Sequence, residues 1–240
     1  MNTIIQIILF LLISFMSTTL RSAFGFGNAL IAMPLLILLF DLRTATPLVG
    51  LIGLITALVM LSREWRELEI KDVLYLLLAS LAGIPIGLYL LVSVPEVIVR
   101  RILGLILIGF GAFNLAGVKL PKIESGLLAI PFGVLSGILG GAYNANGPPI
   151  VIYGLMRGWN QEKFRATLQG YFLMTGLVVA ASHGAAGLWT RQVLTYFLIS
   201  IPVVVLGILI GGKVAAKIPA QKFNQVLYGF LILLGILMFV

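Results

Sequence analysis

Apolar residues run along this chain in long blocks, and the charged residues fall between the blocks. Eight blocks are long enough to cross a hydrocarbon core of about 30 Å as helices. They cover residues 4–20, 44–61, 73–94 and 102–118 in the first half and 125–141, 166–182, 193–212 and 223–240 in the second. Two blocks are shorter, 28–40 and 148–156, and each follows an interruption. The interruptions read Phe24-Gly25-Phe26-Gly27 and Tyr143-Asn144-Ala145-Asn146-Gly147. Backbone that cannot continue as one helix is tolerated at membrane depth only where protein or a water-filled cavity satisfies its freed polar groups, so a broken segment marks a candidate binding site.

The halves can be laid over one another. Asn28 falls on Asn146, Ala45-Thr46 on Ala166-Thr167, Val73-Leu74 on Val193-Leu194, Pro95 on Pro219, Leu103 on Leu227 and Gly111 on Gly235, with an offset that drifts only from 118 to 124. Ordered matches at near-constant spacing predict a duplication, with repeats over 1–118 and 119–240. If each short block counts as a segment there are five per half. Alternate loops then carry Arg63, Arg66, Lys71, Lys119, Lys122, Arg157, Lys163, Arg165, Lys213, Lys217 and Lys222 on one side and only Arg43, Arg100, Arg101 and Arg191 on the other. An odd number of segments predicts inverted repeats, with the basic loops cytoplasmic and both termini outside. The expected fold is therefore all-α: a multi-pass protein of the cell membrane made of two inverted repeats, each with a broken or re-entrant first helix pair.

Composition agrees. Of 240 residues 60% are hydrophobic and 10% charged, far from the roughly half and quarter of soluble domains. The first block has the length of a signal peptide, but no basic residue precedes it and Arg21 follows without a small-residue cleavage pattern, so it is expected to stay in the mature chain. The net charge of +8 is spread singly between apolar blocks, which fits the positive-inside rule and not a nucleic-acid surface. There is no cysteine, which excludes disulfides and thiolate chemistry.

The eight acidic residues all fall in or beside loops, so no intramembrane carboxylate is expected to relay protons. Two ionisable groups remain near the spans. Arg21 stands beside the first interruption, where it either meets an anion in a cavity or snorkels to the interface. His183 reads as a surface residue of a loop at Ser182-His183-Gly184. An enzyme is a poor match: Ser136 with His183 lacks a third orienting group and reads as a small packing residue, and paired aspartates and His-rich metal motifs are absent. No cofactor or metal is expected.

What the interruptions offer is neutral and polar: Asn28, Asn144, Asn146, Tyr143 and Tyr153, with Thr46, Thr167 and Gln169 on the following helices. Gly147-Pro148-Pro149 is a helix start, since proline is tolerated in the first turn, and Asn28 or Asn146 could cap such a start. A helix that begins at membrane depth turns free N–H groups and a positive dipole end toward its neighbourhood, a ready anion site. The expected substrate site is one cavity between the breaks, held by Gly25, Gly27, Asn28, Tyr143, Asn144, Asn146, Gly147, Pro148 and Tyr153. Thr46 and Thr167 are expected on the opposite wall, with Arg21 as an electrostatic contributor.

These residues resemble the TauE/SafE family of sulfite exporters and related permeases over nearly the whole length. The resemblance rests on the duplicated organisation, on Phe24-Gly25-Phe26-Gly27-Asn28 followed by Met33-Pro34-Leu35-Leu36, and on Gly140-Gly141 with Gly147-Pro148-Pro149-Ile150-Val151-Ile152-Tyr153. It implies secondary transport of small anions, often sulfur-containing, such as sulfite, thiosulfate or sulfonates. An anion channel through the same pore is the alternative, and a membrane enzyme a more distant one. The expected partners are a small anionic substrate and the lipid bilayer, with room for a homo-oligomer and no nucleic acid. With no carboxylate inside the apolar blocks, transport is expected to run on the anion's own gradient and the membrane potential, or on a proton carried by the substrate.

Overall fold

The computed structural model describes residues 3–118, 120–215 and 220–239, with side chains for all of these except 214–215 and 220–224. Lys119, Lys217, Pro219, the side chain of Lys222 and the terminal Met1 and Val240 therefore lie outside the described residues. Among the described residues the chain is all-helical, with ten α-helices and no strand. They are α1 (Thr3–Phe24), α2 (Asn28–Ile37), α3 (Leu42–Glu64), α4 (Ile70–Ser93), α5 (Glu96–Leu115), α6 (Ala129–Tyr143), α7 (Gly147–Met156), α8 (Gln161–Ala185), α9 (Arg191–Ala215) and α10 (Ala220–Leu237). Among the described residues five helical stretches are long and apolar enough to cross a membrane: Thr3–Phe24, Leu42–Glu67, Ile70–Ser93, Gly126–Tyr143 and Arg191–Lys213. The protein is a multi-pass membrane protein.

Helix starts follow local chemistry. Asp41 accepts the Thr44 N–H at 2.8 Å to begin α3, and Asn160 accepts the Lys163 N–H at 2.8 Å to begin α8. Helix α7 opens on Gly147 with Pro148 and Pro149 in its first turn, as their missing N–H groups allow.

Helices α2 and α7 have 10 residues each, so each spans only about 15 Å. Both fold back beside the helix before them. The Leu39 carbonyl, just past α2, accepts from Gln6 near the start of α1 at 2.7 Å, and the Met156 carbonyl that ends α7 accepts from the Ile123 N–H ahead of α6 at 2.9 Å. Each short helix thus forms a hairpin with its predecessor, and the two interruptions are the hairpin tips.

Around these hairpins the long helices pack through small residues, as lipid-embedded helices do. A methyl at Gly137 would lie 2.3 Å from the Ser80 carbonyl and one at Gly141 2.4 Å from the Ile84 carbonyl, so α6 lies almost backbone to backbone against α4. The contact of α1 with α9 is built the same way, since a methyl at Gly211 would lie 2.3 Å from the Thr19 carbonyl and one at Gly207 3.1 Å from that of Phe15. In both pairs residue numbers rise together, so the partners are parallel. Helices α5 and α10 are antiparallel, with Gly104 against Gly235 and Gly111 against Tyr228. So are α3 and α8, with Leu54 against Gly176 and Glu64 paired to Arg165 at 2.8 Å.

Candidate functional site

The first break runs through Gly25, Phe26 and Gly27 and turns on glycines with φ of 87° and 101° at positions 25 and 27, left-handed values that a side chain would strain. One face of α8 holds it. Arg165 donates to the Ala23 carbonyl at 3.0 Å and the Ser22 carbonyl at 3.3 Å, satisfying carbonyls that the end of α1 leaves free, and is itself paired with Glu64. Four residues on, Gln169 donates through Nε2 to the Gly25 carbonyl at 2.5 Å and accepts from Arg21 Nη2 at 2.9 Å. One turn further, the Phe172 ring centroid lies 5.0 Å from the Arg21 guanidinium carbon.

The second break is held by α3, α6 and the adjoining face of α8. Asn144 adopts φ 52° to end α6, and its Nδ2 donates to the Thr46 carbonyl at 2.8 Å. Gly50 makes this reach feasible: a methyl there would lie 2.8 Å from Asn144 Nδ2. Asn146 donates through Nδ2 to Thr175 Oγ1 at 3.1 Å, and its carbonyl accepts from Ser136 Oγ at 2.6 Å. Ser136 in turn accepts from the Tyr171 hydroxyl at 2.7 Å, which sits 2.7 Å from Ser80 Oγ. Helix α8 is therefore a spine between the breaks, with Arg165, Gln169 and Phe172 toward the first and Tyr171 and Thr175 toward the second.

Between the breaks lies a cavity of about 40 Å³, lined by both helix starts. The α2 side contributes Gly27, Asn28, Ala29 and Leu30, and the α7 side Asn144, Ala145, Asn146 and Gly147. Helix α3 adds Val49, Gly50, Gly53 and Leu54, helix α8 adds Phe172 and Gly176, and Arg21 completes the wall. Arg21 is 6% exposed and none of the ion pairs among the described residues includes it. Its Nη1 donates to the Gly53 carbonyl at 3.1 Å, and its Nε meets no partner. A buried cation bonded only to neutral oxygens keeps its positive potential, and a cavity beside it favours an anion.

The cavity gathers Arg21, Gly27, Asn28, Asn144, Asn146 and Gly147 from the residues singled out in the sequence. The others lie outside its lining. Gly25 sits behind the tip on Gln169, and Thr46 Oγ1 donates to the Ala142 carbonyl at 3.3 Å. Thr167 Oγ1 accepts from the Glu69 N–H at 3.2 Å, and the Tyr143 hydroxyl donates to the Val99 carbonyl at 2.7 Å. Pro148 faces an apolar groove with Phe110, Phe132 and Ile152. Tyr153 donates to Asp72 Oδ1 at 3.2 Å. Neither asparagine caps its helix with its side chain: Gly27 holds the N-cap position of α2, and the amide of Asn146 is turned to Thr175. Gln169, one of the polar residues noted on the helices after the breaks, orients Arg21 together with Phe172, which carries no signal in the sequence beyond its spacing after Arg165.

One further reading is corrected. His183 lies inside α8, 1% exposed, with Nε2 at 2.9 Å from the Gly141 carbonyl. It is a packed helix residue because α8 runs to Ala185, past the loop expected there. Asp72 is 3% exposed in the first turn of α4, where Tyr153, Arg157 Nε at 3.3 Å and Trp159 Nε1 at 3.2 Å converge on it. With Glu64–Arg165 and Glu69–Lys163 it makes three ion pairs between the stretch from the end of α3 into α4 and the region from the end of α7 into α8.

No curated protein and no solved structure matches this chain. The family described as "Sulfite exporter TauE/SafE" matches residues 9–238. Two hairpin tips around a buried arginine, in a bundle that this match spans almost from end to end, belong to a member of the TauE/SafE sulfite exporter family of membrane transporters.

Proposed function

We propose that the protein is a secondary transporter of small anions, of the sulfite, thiosulfate or sulfonate class, whose one substrate site is the cavity between the two hairpin tips. The observation that carries this is that the two interruptions, with Asn28 and Asn146 118 positions apart, line the same cavity together with a buried arginine outside the ion pairs of the described residues. Neutral groups and one cation hold an anion without gripping it, which suits a carrier that must release its cargo. The site has no nucleophile with a base beside it: Ser136 is engaged by Tyr171 and Asn146, and His183 by the Gly141 carbonyl.

The two halves, 1–118 and 119–240, act as inverted repeats. Support comes from helix directions: α3 against α8 and α5 against α10 are corresponding helices of the two halves, and both pairs are antiparallel, as an axis in the membrane plane requires. Rocking of one hairpin-bearing half against the other would then expose the cavity to each side in turn. The three ion pairs that join 64–72 to 157–165 sit on the side of the basic loops, which the positive-inside rule assigns to the cytoplasm, with both termini outside.

Energy comes from the anion gradient and the membrane potential. One elementary charge crossing 100 mV contributes about 2.3 kcal/mol, so no dedicated proton carrier is needed. Purified protein in proteoliposomes with the potential clamped tests this. Sulfite or thiosulfate flux that saturates and follows the potential is the expected result. Flux absent for every anion, or single-channel currents in a planar bilayer, would overturn it.

A further inference from the structure

Asn28 is the first helical residue of α2 and lines the cavity, 3% exposed. Both polar atoms of its side chain, Nδ2 and Oδ1, are buried and meet no partner. Its counterpart Asn146 is bonded to Thr175, and Asn144 is bonded to the Thr46 carbonyl. Exchanging the amide oxygen and nitrogen of Asn28 relieves nothing, because both are unpaired. A buried unpaired donor and a buried unpaired acceptor are both costly, and such a pair is stable where a ligand supplies the complement. The donor fits any oxyanion. The acceptor does not: a fully deprotonated anion has only lone pairs to set against Oδ1 and is repelled by it.

The charge count points the same way. At each break one helix ends and another begins, α1 before α2 and α6 before α7, so a negative dipole end accompanies each positive one. Arg165, the other cation at the first break, is neutralised by Glu64. The uncompensated charge on the cavity wall is that of Arg21, with its Nε also unpaired. One charge balances a monoanion and leaves half of a dianion unmatched. The cavity's 40 Å³ holds about three waters at roughly 10–15 Å³ each, the size of an anion of some four heavy atoms.

Resting on the transporter reading above, we infer that Asn28 and Arg21 together select the protonated monoanion of a small oxyacid, one that keeps an O–H to donate to Asn28 Oδ1 while its oxygens accept from Asn28 Nδ2 and Arg21. Dianions and larger organic sulfonates are disfavoured. Asn28 is thereby the residue that reads the ligand's proton.

Binding to the purified full chain, measured by thermal shift and calorimetry at one pH below the second ionisation of sulfurous acid, tests this with six probes: hydrogensulfite, hydrogencarbonate, nitrate, methanesulfonate, sulfate and thiosulfate. Hydrogensulfite and hydrogencarbonate are expected to bind at least tenfold tighter than nitrate, methanesulfonate and both dianions. In Asn28→Leu the preference for hydrogensulfite over nitrate is expected to fall within twofold, and in Arg21→Gln every anion is expected to be lost. Equal binding of nitrate and hydrogensulfite by the parent protein, which needs no variant to fold, would overturn the inference and leave the transporter reading standing. So would an Asn28→Leu protein that keeps the tenfold preference. Binding of none of the six by the parent would overturn the site assignment and this inference with it.

Discussion

Arg21 and Gln169 stand 148 positions apart in the chain and 2.9 Å apart in space, with Nη2 donating to the amide oxygen. The same amide donates to the Gly25 carbonyl, so one side chain of α8 orients the cation of α1 and fixes the break that follows it. Replacing Gln169 by leucine strips both partners. Such a loss costs about 1–3 kcal/mol for buried groups left unsatisfied, and the loosened guanidinium should weaken anion binding about tenfold. Thermal unfolding in detergent and anion titration of the same variant check the two effects together.

Arg21→Gln separates stability from function. The cation is buried against neutral oxygens and one aromatic ring, so neutralising it removes a desolvated charge that nothing fully balances. The expected outcome is a melting temperature equal to or above the parent's, with anion flux abolished. A protein that unfolds at lower temperature would show that Arg21 serves mainly as a packing strut.

Two glycines should respond in opposite ways to valine. At Gly147 an added methyl would meet only the Phe172 ring at 3.7 Å, an ordinary contact, so Gly147→Val should fold while narrowing the cavity and stopping transport. At Gly137 the same change drives a methyl to 2.3 Å from the Ser80 carbonyl, forcing α4 and α6 apart. That overpacking should cost about 3 kcal/mol, the upper end for an insertion into a close-packed core. Yield of monodisperse protein and melting temperature distinguish the two.

Asp72 draws three donors of the second half onto the first turn of α4. Asp72→Ala leaves Tyr153, Arg157 and Trp159 facing an uncharged wall. Arg157 is 24% exposed and regains some water, so the loss should be about 3 kcal/mol, the lower end for breaking a buried ion pair. Faster hydrogen exchange at the end of α7 should accompany it, and unchanged exchange there would refute this role.

Sidedness is checked by single cysteines, because the chain contains none of its own. Residues near Arg66 and Lys163 should react with an impermeant reagent only after the cytoplasmic face is opened, and residues near Ile4 without it.

The sequence by itself determined the helices and the two breaks, because these are local matters. Unbroken apolar blocks become helices in a medium that leaves no backbone group unpaired, as at residues 73–93, within α4. Gly147-Pro148-Pro149 starts a helix through the geometry of its own residues, and glycines at 25 and 27 turn the chain where side chains would be strained. Part of the candidate site was legible for the same reason, since Arg21, Gly27, Asn28, Asn144, Asn146 and Gly147 sit at the breaks themselves.

Only the tertiary structure decided which way the polar side chains turn. Tyr143 and Tyr153 look as suited to a ligand as the asparagines, yet one reaches the Val99 carbonyl and the other Asp72. His183 and Asp72 lie near the ends of blocks and read as loop-side residues, yet both are buried by neighbours from distant segments. In a water-soluble helix a polar face marks the outside. In a membrane helix the lipid and the protein interior are both apolar, so no periodicity separates the face that packs from the face that is solvated by lipid. Which face turns inward is set by the close approach of glycines on α4 with α6 and α1 with α9, and that fit is a property of two helices at once.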